Sequence, residues 1–125
     1  MKFCPDLLAA DRNIPFVRAQ KFDAYLSYHS SGQVIYYHYN QKGTQHTRDL
    51  AFAKKVAKTT GYMLISPTKN LKTGTSQAWF ITQFKKPALT IEISPYVGET
   101  VVPLSNWPRI WKQQQYVGLL AAKEI

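Results

Sequence analysis

The sequence predicts an α/β fold, an open sheet with helices packed against it. Three observations predict it. Strand-like runs at residues 21–29, 34–39, 62–65 and 88–93 alternate along the chain with helix-like runs at 47–60 and 76–84. The first strand run is mostly apolar or aromatic on both of its faces, as suits a strand covered from two sides. His29 stands at the C-terminal mouth of that run, which is where open α/β sheets gather their chemistry.

Residues 1–19 are the least patterned. Pro5 and Pro15 bracket Asp6 to Ile14, leaving room for one short helix that Pro15 ends. From 21 to 29 the residues alternate, with Ala24, Leu26 and Tyr28 on one face and Asp23, Tyr25, Ser27 and His29 on the other. His29-Ser30-Ser31-Gly32 is a tight polar turn, and the β-branched and aromatic residues after it make the next strand. Residues 40–46 carry turn chemistry. In the helix 47–60, Phe52, Ala53, Val56, Ala57 and Thr60 share one stripe, while Arg48, Lys54, Lys55 and Lys58 face water. Thr47 is placed to cap it, Asp49 suits its first turn, and Gly61 stops it. A polar loop follows the short strand at 62–65. Ser76 caps the next helix, which runs to Phe84 with Trp79, Phe80 and Phe84 inward. In the strand 88–93, Leu89, Ile91 and Ile93 face one way and Ala88, Thr90 and Glu92 the other. Ser105 or Asn106 caps the last helix and Pro108 fits its first turn. Its apolar face is broad: Trp107, Ile110, Trp111, Val117, Leu120 and Ala121.

With 125 residues the chain makes a single domain, 1–125, with a small core. No run of apolar residues is long enough to span a membrane. The opening MKFCPDLLAADRN shows no secretory pattern, so a cytoplasmic location is the default expectation. Cys4 is the one cysteine, which excludes an internal disulfide and a thiolate metal cluster. The net charge of +9 attracts polyanions, nucleic acid or anionic cell-wall polymer among them, or simply solvates the surface.

Several segments carry a resemblance to a known family. His29-Ser30-Ser31-Gly32 followed by Val34-Ile35-Tyr36-Tyr37 resembles the third zinc-ligand segment of the zinc carboxypeptidases of the carboxypeptidase A type. Pro87-Ala88-Leu89-Thr90-Ile91-Glu92-Ile93 resembles the segment that holds that family's catalytic glutamate. Tyr96-Val97-Gly98-Glu99, Val102-Pro103-Leu104 and Ile110-Trp111-Lys112-Gln113 are similar to a bacterial branch that cleaves γ-D-glutamyl-diamino acid bonds in peptidoglycan peptides. The matches run in order through residues 20–124.

The resemblance implies a three-layer α/β/α fold with a mixed, mostly parallel sheet, the C-terminal half of the peptidase domain. It implies zinc as cofactor, His29 as one metal ligand, and Glu92 as the general base that moves a proton from metal-bound water to the leaving amine. Arg12, in Asp11-Arg12-Asn13, faintly matches the arginine that grips the substrate carboxylate. The sequence also departs from the family. It contains no H-x-x-E, the segment that supplies the other two ligands; its nearest spacing is His46-Thr47-Arg48-Asp49, which opens a helix. Asn70 stands where the family's mobile-loop tyrosine would fall, and Ala78 where an acidic residue usually precedes Trp79. The expected protein is therefore an incomplete or inactive peptidase domain, with a peptide substrate by resemblance. Its sheet has an uncovered edge, to be paired by a second copy or by a missing N-terminal half. Two other readings compete. In one, Tyr25, Tyr28, Tyr36, Tyr37 and Tyr39, about half of them exposed, make a polyanion-binding surface, although nucleic acid is not the expected partner. In the other the fold is a structural remnant without a site. His38 matches no family role and is expected on a strand surface.

Overall fold

The computed structural model describes residues 14–68 and 74–125. Cys4, Arg12, Asn70 and most of the expected helix between Pro5 and Pro15 lie outside the described residues. A short helix α1 (Ile14–Gln20) comes first, then β1 (Tyr25–Ser30), β2 (Val34–Tyr36), α2 (Gly43–Thr60), β3 (Met63–Leu64), α3 (Ser76–Phe84) and β4 (Ala88–Ile93). A 3₁₀ turn (Leu104–Asn106) leads into α4 (Trp107–Gln114) and α5 (Val117–Glu124).

The strand order is β1-β4-β2-β3. β1 runs parallel to β4 and β2 parallel to β3, while β2 and β4 are antiparallel, so the sheet is mixed and mostly parallel as expected. β1 and β2, neighbours in sequence across a short turn, do not pair. β4 lies between them and is the strand with the most complete burial. Its alternation sorts the two faces. Leu89 and Ile91 join Ile35 on one face and pack on Phe52, Ala53 and Val56 of α2 and Val117 and Ala121 of α5. Ala88, on the other face, packs with Phe80 and Ile81 of α3, joined by Tyr25 and by Val17 of α1. Helices thus cover both faces of the sheet in three layers.

Several local expectations are corrected. β1 starts at Tyr25, and its C-terminal half is exposed, because it is the edge of the sheet among the described residues. β2 ends at Tyr36, so Tyr37, His38 and Tyr39 leave the sheet. Of the five tyrosines, Tyr37 is buried, Tyr25 and Tyr39 are half-buried, and Tyr28 and Tyr36 are exposed. α2 begins at Gly43, and Lys42 caps it without a side-chain bond. Thr47 is therefore one turn inside, where its hydroxyl donates to the Gly43 carbonyl (3.2 Å). Asp49 is buried rather than set on an exposed first turn: its carboxylate accepts from Gln41 Nε2 (2.9 Å) and from the Arg48 guanidinium (2.7 Å). Thr75, not Ser76, caps α3, accepting from the Ala78 N–H (3.2 Å). The last helix is two: the chain breaks after Gln114, and Val117 and Ala121 of the second piece reach the core. In the first piece Ile110 alone is buried, and Trp107 and Trp111 stand side by side and more than half exposed.

His38 is half-buried rather than lying on an open strand surface, and its ring meets His46 edge-on. Burial, and then the nearby charge of His46, hold its pKa below the ordinary histidine value, against a hydrogen bond with the Gln41 backbone that favours the protonated ring.

The stop of α2 is a backbone effect. Gly61 has φ 76°, its N–H donates to the Ala57 carbonyl (2.8 Å), and no atom lies within 4 Å of where a Cβ would sit. An added methyl meets open space, so only the left-handed conformation resists it. Gly61→Ala is expected to destabilise the fold by about 1 kcal/mol, read as a lower urea midpoint at unchanged m-value.

Candidate functional site

The site is built where β1 and β4 end side by side. The register pairs Ser27 with Thr90 and His29 with Glu92. Residues in register on neighbouring strands project from the same face, with backbones about 4.8 Å apart. On the other side of β4, Val34 of β2 is paired with Glu92. One face therefore presents His29, Glu92 and Val34 in a row across three strands, with Ser27 and Thr90 in the row before them.

Helix α3 covers only the earlier part of this face. Gln77 docks it: its Nε2 donates to the Tyr36 and Ala88 carbonyls (3.1 and 3.2 Å), and its Oε1 accepts from the Thr90 hydroxyl (3.1 Å). The row beyond is left more open. His29 is exposed and Glu92 half-buried. His29 Nε2 shares a hydrogen bond with Ser27 Oγ (2.9 Å), which orients the ring along its own strand.

The two strand tips are tied together by the loops that follow them. The Gly32 N–H donates to the Ser94 carbonyl (3.0 Å), and the Val97 N–H donates to Ser31 Oγ (2.9 Å). Asn106 Nδ2 donates to the buried Ser94 hydroxyl (3.2 Å) and anchors the β4 tip to the last helices. Gly32 has φ 155°, and a Cβ there would lie 3.8 Å from Glu92 Cβ, an ordinary contact, so backbone conformation rather than space asks for glycine. The His29 turn is held at two points against the loop that follows Glu92.

A catalytic zinc takes three protein ligands and leaves a fourth position open. Among the described residues no group of three or more His, Cys, Asp and Glu is placed to hold a metal ion. His29 offers one imidazole and Glu92 a carboxylate beside it; His46 and Asp49, the nearest spacing to a ligand pair, are engaged with Tyr37 and with Gln41 and Arg48. The described residues do not make a complete zinc site. A cavity of about 280 Å³ between Arg48, Lys55, Lys86 and Glu124 includes neither His29 nor Glu92.

The positions singled out in sequence fare differently. His29 and Glu92 are brought together, and Arg12 lies outside the described residues. The tying roles of Gln77, Ser31 and Ser94 are not legible in the sequence, because period-2 patterning carries no signal for residues that fasten loops and a helix to a strand tip. Ser27 was legible, two residues before His29 on the same face.

No protein in a search of curated sequences matches the chain significantly. The family model for zinc carboxypeptidases matches residues 10–116, most of the chain and both strand tips included. With the α/β/α layers, the mixed sheet and the paired tips already described, this match places the chain in the zinc carboxypeptidase family.

Proposed function

We propose that this chain is the part of a zinc-dependent peptidase site that contributes His29 as a metal ligand and Glu92 as proton carrier, and that it is inactive alone. One observation carries the proposal: the imidazole and the carboxylate are register partners at adjoining strand tips. Glu92 sits half-buried between His29 and Val34, which limits its contact with water on two sides while leaving it reachable from the open end of the face. A carboxylate so placed is available to accept a proton from a reacting group and return it to a leaving amine. His29 is oriented by Ser27. The donors still needed come from outside the described residues. The exposed edge of β1 is where a further strand would add, from a second copy or from an N-terminal half carrying the H-x-x-E segment. The substrate class is the γ-D-glutamyl-diamino acid peptide of peptidoglycan, by the resemblance of the segments at 96–104 and 110–113.

The test is complementation. The purified 125-residue chain is incubated with zinc and a γ-D-glutamyl-diaminopimelate peptide, alone and then fused behind an upstream half that bears H-x-x-E. The expected result is no cleavage by the chain alone, cleavage by the fusion, and loss of that cleavage in Glu92→Gln. Cleavage by the lone chain would overturn its incompleteness. A cleaving fusion that is indifferent to Glu92→Gln would remove Glu92 from the chemistry, and a folded fusion that does not cleave would overturn the substrate class or the peptidase reading itself.

A further inference from the structure

A pair of imidazoles lies away from the β1–β4 tips, where the turn after β2 meets the first turn of α2. His38 and His46 have ring centroids 5.4 Å apart and planes at 82°. Among the described residues, His38 Nδ1 is buried and has no hydrogen-bond partner. A buried ring nitrogen with no partner is a costly arrangement that native proteins seldom leave unfilled. His46 Nε2 is already engaged, 3.3 Å from the Tyr37 hydroxyl. If that nitrogen carries the proton, the lone pair of His46 sits on Nδ1. His46 then has one nitrogen steadied by a neighbour and the other left to donate its lone pair, the pattern that metal-bound histidines show, where the second nitrogen is fixed by an outer partner; His38 adds its unpartnered Nδ1.

We propose that His38 and His46 form a two-imidazole site for a divalent transition ion of the zinc–copper kind, completed by solvent. The spacing fits: with metal–nitrogen bonds of about 2.0–2.1 Å at a tetrahedral angle, two imidazoles on one ion have ring centroids about 5 Å apart. The donor set fits too, because neutral imidazoles suit zinc, copper and nickel rather than calcium or magnesium. An ion here would join the end of β2 to the first turn of α2, the two elements that the Gln41–Asp49 hydrogen bond already links. The site is independent of the reading of His29 and Glu92.

The chain has three histidines, which makes the test clean. Zinc is titrated calorimetrically into the wild-type chain and into His38→Gln, His46→Gln and His29→Gln. The expected result is binding that weakens at least tenfold in the first two variants and is retained in His29→Gln. Loss in His29→Gln with none in the other two would move the ion to the strand tips and overturn the inference, as would the absence of zinc binding by the wild type. A second measurement needs no variant: substoichiometric Cu²⁺ should broaden the imidazole NMR signals of His38 and His46 before those of His29. Broadening of His29 first would count against the site even if the glutamine variants failed to fold.

Discussion

Replacing Ile91 with alanine should cost about 2–5 kcal/mol of stability, the range for truncating a fully buried isoleucine. Ile91 is fully buried in β4, the strand that pairs with both β1 and β2. Its partners in register are Tyr28 on one side and Ile35 on the other, and it lies in the cluster formed with α2 and α5. Neighbours on adjoining strands are held by ladder hydrogen bonds, so they cannot close in on the lost methyl groups and much of the cavity persists. Domains of this size carry only about 5–15 kcal/mol in total, so the variant should lose a large part of its urea resistance. Leu119→Ala is the control. Leu119 is 69% exposed on α5, and the change should fall within about 0.5 kcal/mol of wild type. Equal, small effects at the two positions would mean that the β4 face does not form the core.

That face was legible because β4 is a strand of the simplest kind, with apolar residues at every second position and Pro87 before it. Its bounds, 88–93, are those the sequence predicts. The end of α2 was legible for a similar reason, since Gly61 announces a left-handed stop. The start of α2 was not. Thr47 has the chemistry of a cap, but the helix already begins at Gly43 behind Lys42, which makes no side-chain cap bond. Packing of the first turn against the β2 exit outweighs the local signal there, as His46 reaching Tyr37 and Asp49 reaching Gln41 show. The split of the last helix escaped notice because Ile110, Val117 and Ala121 are spaced as on one continuous helix.

Strand order is a different kind of unknown. Periodicity reports which face of a strand is apolar and says nothing about its neighbour. A strand at 88–93 inserted between two strands at 25–30 and 34–36 cannot be derived from spacing. The adjacency of His29 and Glu92 follows from that insertion, so composition alone would never have found it; only the order of family-like segments pointed there. The polar ties that hold the tips, Gly32 to Ser94 and Val97 to Ser31, depend on the same insertion and were invisible with it.

Asp49 is expected to be the most costly polar residue to remove, at about 2–3 kcal/mol for Asp49→Ala. Its carboxylate is almost wholly buried, with Gln41 Nε2 on one oxygen and the Arg48 guanidinium on the other. Arg48 also donates to the Lys85 carbonyl at the end of α3 (2.7 Å), so one carboxylate joins the β2–α2 turn to α2 and, through the arginine, to α3. Breaking a buried ion pair costs about 3–5 kcal/mol when the orphaned charge stays dry. Here the Arg48 side chain is 46% exposed, and water can take up the guanidinium, which lowers the cost. What remains is the buried Gln41 amide losing one of its acceptors, about 1–3 kcal/mol, and a space where the carboxylate was. The asymmetry gives the sharper test. Arg48→Ala leaves Asp49 buried with Gln41 as its remaining side-chain donor among the described residues, so it too should be destabilising, and the double variant should cost less than the sum. Urea denaturation of the four proteins of that cycle measures the coupling. Strict additivity would mean that Asp49 is stabilised through Gln41 alone, and that the arginine is a surface charge with no part in joining α2 to α3.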